Sequence, residues 1–548
     1  MGGRDVQPAV ALLGYRVAMT KKYLDSVRKL LSRRRALQGM SALVGTAAVG
    51  CTASTGDGEG ETGDTETGGD GGTDSDETGT TMASGDGDGD PGDGDGDDDG
   101  DDDGDGDGDG DPGDGDGDGD DACVDNTKLS VQEALVNVEH IIVLCMENRS
   151  FDHYFGALQL EEEHPDVNGL SGTESNPDGQ GNDILVNKLD NYEPLDPPHQ
   201  WDEVHAQWNN GALDGFVTEH IAEHDDSVKH EVMGYHNRDD LPVLYALADN
   251  YTLCDAWHCS LLGGTWANRY YLHCATSNGG KQNVPAFLPF TYTTIQDVCD
   301  DGGISNNNYY AGIVPWRWGA FPGDFSGTDS FDEFFENIDN GVLEEVVIID
   351  PDFMSNDDHP SHNIMLGQAL IATIYQALAQ SQYWDKCLLV ITYDEHGGFY
   401  DHVVPGTTPD DEGPEFENQG FRVPSVVIGP HVRSGCVNHT VLDHASFPAT
   451  VTRKFGLPEL NSRTENVNDL ASCIDPTKID NPSPPAPLPI VVIPEKEVLA
   501  QCGVETSQEE LMRVTGNWPI TPEMTERVRG QIKQLLRVGE RLGAVKLV

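Results

Sequence analysis

Two stretches of this 548-residue chain run buried-looking apolar segments straight into acids and amides. Ile141-Ile142-Val143-Leu144 has the length and β-branched composition of a buried strand, and polarity appears at once in Glu147-Asn148-Arg149-Ser150. Asn148 or Ser150 is placed to cap a helix starting near Phe151. The second stretch, 388–393, runs into Asp394-Glu395-His396, then Gly397-Gly398 and Asp401-His402. Four or five ionisable side chains at one strand end are expensive as a folding device. Carboxylates and imidazoles grouped this way suit a divalent cation or an acid–base pair.

Two weaker sets accompany them. Gly263-Gly264-Thr265-Trp266-Ala267-Asn268-Arg269 puts two glycines ahead of a hydroxyl near a helix start, where backbone N–H groups favour an anion. Thr265 is therefore a candidate nucleophile, with Asn268 and Arg269 expected near the same anion. Read alone, this is equally a helix cap. Histidines stand in turn contexts at Pro198-His199-Gln200-Trp201 and Asp357-Asp358-His359-Pro360-Ser361-His362. Single loop histidines are usually solvated, so these gain weight only in company.

The elements that must position these residues alternate. Strands are expected at 139–144, 251–256, 346–349, 386–393 and 423–428, and helices at 241–250, 361–380, 446–455 and about 521–542. That order predicts an α/β domain with a mainly parallel sheet covered by helices on both faces. Ligands in such sheets bind at the C-terminal ends of the strands, where the acids fall. The Gly/Asn/Pro-rich stretches 164–200 and 278–330 read as surface loops or small subdomains.

Composition divides the chain. Residues 1–50 carry nine basic and two acidic side chains, with Ser32-Arg33-Arg34-Arg35-Ala36-Leu37 resembling a twin-arginine export motif. Ala48-Val49-Gly50-Cys51 is similar to a lipoprotein cleavage site, which predicts a lipid anchor at Cys51. Translation starting at Met19 would shorten the leader. Residues 51–121 hold 29 acidic and no basic residues, largely as Gly-Asp alternation, and read as a disordered acidic tether. Their spacing fits neither known calcium-loop repeat. Residues 122–548 form the expected catalytic domain, with the other 65 acidic and 23 basic side chains. So negative a body argues against nucleic-acid binding and against electrostatic attraction to anionic membranes. Ten cysteines beyond Cys51 suggest disulfides in an exported protein, with Cys145 and Cys387 equally readable as buried thiols.

Taken in order, MENRSFDHYFG, PPHQW, GGTWANR, DDHPSHN and DEHGGFYDHV resemble the bacterial phosphoesterase family over about residues 136–460. That family holds phosphatidylcholine-type phospholipases C and secreted acid phosphatases, and its fold is similar to alkaline phosphatase. The resemblance implies a divalent metal ion held by Glu147, Asn148, Asp394 and Thr265, with Thr265 also the nucleophile. It implies catalytic roles for His199 and His359 beside the phosphate and for Glu395 in the neighbouring acidic position. Asp401 and His402 belong to the motif without an assigned role. Gly264 stands where the family commonly has Pro, and Trp266-Ala267 replaces a small-polar-Pro pair, which would reshape the substrate entrance.

The function this implies is an exported phosphoesterase of phospholipase C type, lipid-anchored to a bacterial membrane facing the periplasm or cell surface, or secreted. Its substrate would be a phospholipid or a small phosphate ester. Trp201, Trp257 and Trp266 are candidates for an aromatic cage around a choline group. An acid phosphatase acting on monoesters is the alternative within the family, and a catalytically silent surface binding lipoprotein is the alternative of another class. A sulfatase is set aside, since no Cys-x-Pro-x-Arg motif is present.

Overall fold

The computed structural model describes residues 123, 129–285, 293–321 and 326–548. The expected leader, the acidic tether and the anchor at Cys51 lie outside the described residues.

The chain builds one large sheet from β1 (His140–Met146), β2 (Thr252–Cys254), β3 (Asn306–Tyr310), β4 (Thr328–Ser330), β5 (Val346–Asp350), β6 (Cys387–Tyr393), β7 (Val426–Ile428) and β8 (Cys436–Asn438). The strand order is β8-β2-β7-β6-β1-β5-β3-β4. Only β7 runs against its neighbours β6 and β2; the other pairings are parallel. All seven residues of β1 and of β6 are buried, so both faces of the sheet's centre are covered. The register pairs Met146 with Tyr393 and Leu144 with Ile349. The residues following β1, β5 and β6 therefore leave the sheet together, at one edge.

The helices about the sheet include α1 (Phe151–Phe155), α2 (Pro242–Asn250), α3 (Thr265–Cys274), α4 (Ile364–Ala379), α5 (Ser446–Phe455) and α6 (Pro522–Leu542). Five of them form two groups: α4 packs on α2 and α6, while α5 packs on α3. Capping residues fix several starts. Ser150 accepts from the His153 N–H at α1, and Asn363 accepts from the Met365 N–H at α4. Among the described residues no helix is long and apolar enough to cross a membrane.

The expected strands and helices are present within a few residues of their predicted limits. Strands β3, β4 and β8 were not expected. Asn306-Asn307-Asn308 and Thr328-Asp329-Ser330 carry no apolar run, and they sit at the outer side of the sheet where a polar strand can still pair. The stretch 278–330 thus holds sheet and helix rather than loop alone. Of the ten cysteines, Cys123 and Cys436 form a disulfide across 313 residues of sequence. The other eight, including Cys145 and Cys387, are free and buried, so the expected framework reduces to one bond among the described residues.

One contact couples the two central strand ends. Gly397 has φ +64°, and a Cβ there would lie 2.3 Å from the Asn148 carbonyl oxygen. A side chain is disfavoured both by the left-handed backbone and by the collision. Gly397→Ala is expected to destabilise the protein by on the order of 3 kcal/mol, read as a lowered chemical-denaturation midpoint. An unchanged midpoint would mean the two strand ends are free to separate.

Candidate active site

Three strand-end carboxylates meet one cation. Glu147 follows β1, Asp350 ends β5 and Asp394 follows β6. All three are fully buried, and Arg269 of α3 reaches each of them, at 3.3, 3.2 and 3.0 Å. The guanidinium also donates to the Cys145 carbonyl at 3.0 Å. Arg269, expected from sequence beside an anion, has its guanidinium paired with these acids. Asn268 is likewise not free. Its amide braces the turn ahead of α3, donating to the Gly263 carbonyl and accepting from the Leu261 N–H. Asp350, which the sequence reading missed, ends an apolar strand just as Glu147 and Asp394 follow theirs, and that pattern was there to find.

Thr265 opens α3 one turn before Arg269, on the same helix face. Gly264 precedes it with an extended backbone, and a Cβ at Gly264 would come within 3.2 Å of the His199 carbonyl. The Thr265 hydroxyl donates to Asn148 Oδ1 at 3.3 Å. Asn148 itself sits at φ +60°, held there by its N–H bond to Asp394 Oδ1 at 3.1 Å. Asn tolerates this region better than most residues. Thr265, Asn148 and Asp394 are thus brought together through consecutive bonds.

The two expected histidines join from the loops. His199 Nε2 lies 3.4 Å from Asn148 Nδ2 and 3.8 Å from Glu395 Oε1, while its Nδ1 bonds the Pro197 carbonyl. The rings of His199 and His359 are 5.7 Å apart. His359 Nδ1 bonds the Pro360 carbonyl. Asp196, at 45 % side-chain exposure, stands 3.4 Å from His199 and 4.0 Å from His359, and marks where this otherwise buried group meets solvent.

The charges are perturbed accordingly. Burial disfavours the His199 cation, but Glu395 and Asp196 outweigh it and push the imidazole up to about 9. Burial pulls His359 below its ordinary value. Burial raises Glu147 well above the carboxylate range despite Arg269, and raises Glu395 despite His199. Glu147 Oε2 and Glu395 Oε1 are buried without a hydrogen-bond partner. Glu147, Asp350 and Asp394 share one guanidinium, Glu395 faces His199, and two carboxylate oxygens of the four acids accept no hydrogen bond. That excess suits a divalent cation with oxygen ligands.

Among the described residues, two triplets of His, Cys, Asp or Glu bring one potential ligand atom each within 4.8 Å of one another: Asp196, His199 and His359, and Asp152, Asp401 and His402. The second needs no ion. Arg422 bonds Asp152 at 3.0 Å and Asp401 at 2.9 Å, and His402 Nδ1 bonds Asp152 at 2.7 Å. Asp401 and His402 therefore hold α1 against the loop after β6. The aromatic cage is not formed. Trp257 and Trp266 are buried, Trp266 packing tilted against Trp316 at 5.2 Å between ring centroids, and Lys281 lies 4.8 Å over Trp201.

The sequence model of the phosphoesterase family matches residues 138–458. Non-specific phospholipase C1 of Arabidopsis thaliana is 32% identical over 365 residues, covering 58% of this chain and 67% of that protein. Phospholipase C B of Mycobacterium tuberculosis is 32% identical over 421 residues, covering 64% of this chain and 80% of that protein. Among solved structures, an alkaline phosphatase superfamily protein from Vibrio parahaemolyticus aligns over 63% of this chain and 74% of its own, at TM-score 0.33 and 13% identity. A phosphonate monoester hydrolase of Agrobacterium radiobacter aligns over 62% and 77%, at TM-score 0.32 and 11% identity. With the family's span containing β1, β5, β6, α3 and both histidine loops, the chain belongs to the phosphoesterase family.

Proposed function

We propose that this protein hydrolyses the phosphodiester bond of phospholipids, as its relatives named phospholipase C do by name, with Thr265 as nucleophile. The observation that carries this reading is the Thr265 hydroxyl bonded to Asn148 above the strand ends that bear Glu147 and Asp394. Glu147, Asn148, Asp394 and Thr265 would hold a divalent metal ion, with the unpartnered Glu147 Oε2 supporting that assignment. When bound, such an ion supplies Lewis-acid neutralisation of phosphate charge and acidifies the hydroxyl.

The chain's own residues then divide the proton work. His359, neutral and with Nδ1 spent on a backbone carbonyl, keeps an Nε2 lone pair that takes the Thr265 proton. The Thr265 Oγ1–phosphorus bond forms as the bond to the diacylglycerol oxygen breaks. His199, protonated at neutral pH, gives its proton to that leaving oxygen. Glu395 keeps His199 charged. Water next attacks phosphorus, loses a proton to His199, and releases the phosphorylated head group, while His359 returns the Thr265 proton.

A monoester uses the same nucleophile, so acid phosphatase activity is the second reading. It gains from the absence of an open cage in the three tryptophans, since Lys281 already covers Trp201. Export is supported by the Cys123–Cys436 disulfide, which persists in oxidising compartments. Lipid anchoring at Cys51 completes the proposed placement at a membrane surface.

Turnover of p-nitrophenyl phosphorylcholine and p-nitrophenyl phosphate tests the reading. Thr265→Ala is expected to lower kcat on either substrate by on the order of a thousandfold or more, and chelator treatment to abolish the wild-type rate. Full activity in Thr265→Ala would end the proposal, and preference for the monoester would move it to phosphatase.

The His359 loop yields a separate test. Asp357 accepts the His359 N–H at 3.1 Å and bonds His362 Nδ1 at 2.6 Å. Burial opposes both charges, yet Asp357 holds His362 above its ordinary value and His362 holds Asp357 below its own. The raised His contributes fully below its unfolded value and fades as pH rises through the folded one. The lowered Asp contributes fully above its unfolded value and fades as pH falls through the folded one. Their shared window lies between about pH 4 and 6.5. His362→Gln should therefore cost more stability near pH 5.5 than near pH 9. Denaturant midpoints that fall equally at both pH values would contradict this ion pair.

A further inference from the structure

The family match ends at residue 458, yet the chain comes back to the site beyond it. Residues 503–508 run along 353–357, tied by the Gly503 N–H to the Met354 carbonyl at 3.0 Å and the Ser507 N–H to the Phe353 carbonyl at 2.9 Å. The Thr506 hydroxyl also donates to the Phe353 carbonyl. Two side chains then reach inward. Gln508, 2 % exposed, donates from Nε2 to Glu147 Oε1 at 2.8 Å. The Ser507 hydroxyl donates to Asp357 Oδ2 at 2.7 Å, opposite the oxygen that bonds His362 and the His359 N–H.

We propose that Ser507 and Gln508 are positioning residues of the active site, supplied from outside the family segment. This rests on Glu147 and His359 serving the reaction as proposed above. Arg269 also meets Glu147 Oε1, at 3.3 Å, a longer contact that by itself leaves the carboxylate able to rotate. The Gln508 amide is closer and comes from a different element, so the two donors together fix Oε1 and leave Oε2 as the unbonded oxygen. Ser507 does the same for the loop. By holding Asp357, whose carbonyl also accepts the Glu147 N–H at 2.8 Å, it sets the height of His359 relative to Glu147. A site whose ligand and acid–base group are braced from one strap loses precision when the strap's donors go, even though nothing touching substrate has changed.

The full chain carrying Gln508→Met, which keeps the volume and removes the amide, tests this, beside Ser507→Ala. Gln501→Ala, an exposed residue whose amide donates to the half-buried Glu193 carboxylate away from Glu147 and Asp357, is the control. Readouts are kcat and KM on the p-nitrophenyl esters, Mn²⁺ affinity by calorimetry and the melting temperature. Gln508→Met is expected to lower kcat about tenfold or more and to weaken Mn²⁺ binding about tenfold, with KM within about twofold and melting near wild type. Ser507→Ala should lower kcat with Mn²⁺ affinity less affected, and Gln501→Ala should match wild type. Wild-type kcat in Gln508→Met, or a loss matched by a fall in melting temperature, overturns the proposal. If the wild-type protein binds no Mn²⁺, the metal part of the proposed function fails, and the kcat of Gln508→Met alone decides the positioning role.

Discussion

Arg269 sits where three parallel strands end, and the site is arranged around its charge. One guanidinium, almost wholly buried, contacts carboxylates from β1, β5 and β6 and a backbone carbonyl of β1. A buried acid without a partner would be neutralised or would unfold the region, and removing one member of a buried pair costs about 3–5 kcal/mol. With Arg269 present, the three strand ends can be acidic and still pack. Its position on α3 then decides where Thr265 lies, because residues one turn apart share a helix face. The hydroxyl is carried to the acids by the same side chain that neutralises them.

The remaining excess of negative charge has a consequence. Arg269 offsets one of the four buried carboxylates, and His199 offsets another when protonated. Glu147 Oε2 and Glu395 Oε1 still accept no hydrogen bond, so the interior favours a further cation near the strand ends. Solvent reaches this group from the Asp196 side, where the two histidines are. That places the groups able to move protons at the open side and the groups able to hold a cation on the closed side, an order suited to a substrate whose leaving group stays near solvent or lipid.

Much of this was legible in the sequence because it depends on local pattern. Buried parallel strands must be continuously apolar, so the sharp change at Glu147 and at Asp394 showed both the strand and its functional end. Thr265 was visible from the glycines that free its backbone. Long-range pairing was not. Asn268 and Arg269 looked available to a substrate because nothing local says that one braces a turn and the other meets acids from three strands. Asp401 and His402 read as part of the chemistry, but Arg422, about twenty residues on, uses them as structure. Trp266 looked like a substrate contact, while Trp316 and Gly319 take it into the core. Ser507 and Gln508 carried no signal at all, being ordinary polar residues whose meaning depends on where a distant segment returns.

In the proposed reaction the Thr265 oxygen becomes bonded to phosphorus during turnover. This is tested most directly by acid-quenching the enzyme at steady state and weighing the peptide that contains Thr265. A phosphoryl group on Thr265 is expected with p-nitrophenyl phosphate and a phosphocholine group with the choline diester, each absent without substrate. An enzyme turning over at full rate with Thr265 unmodified at every quench time, and the modification found elsewhere, would contradict it.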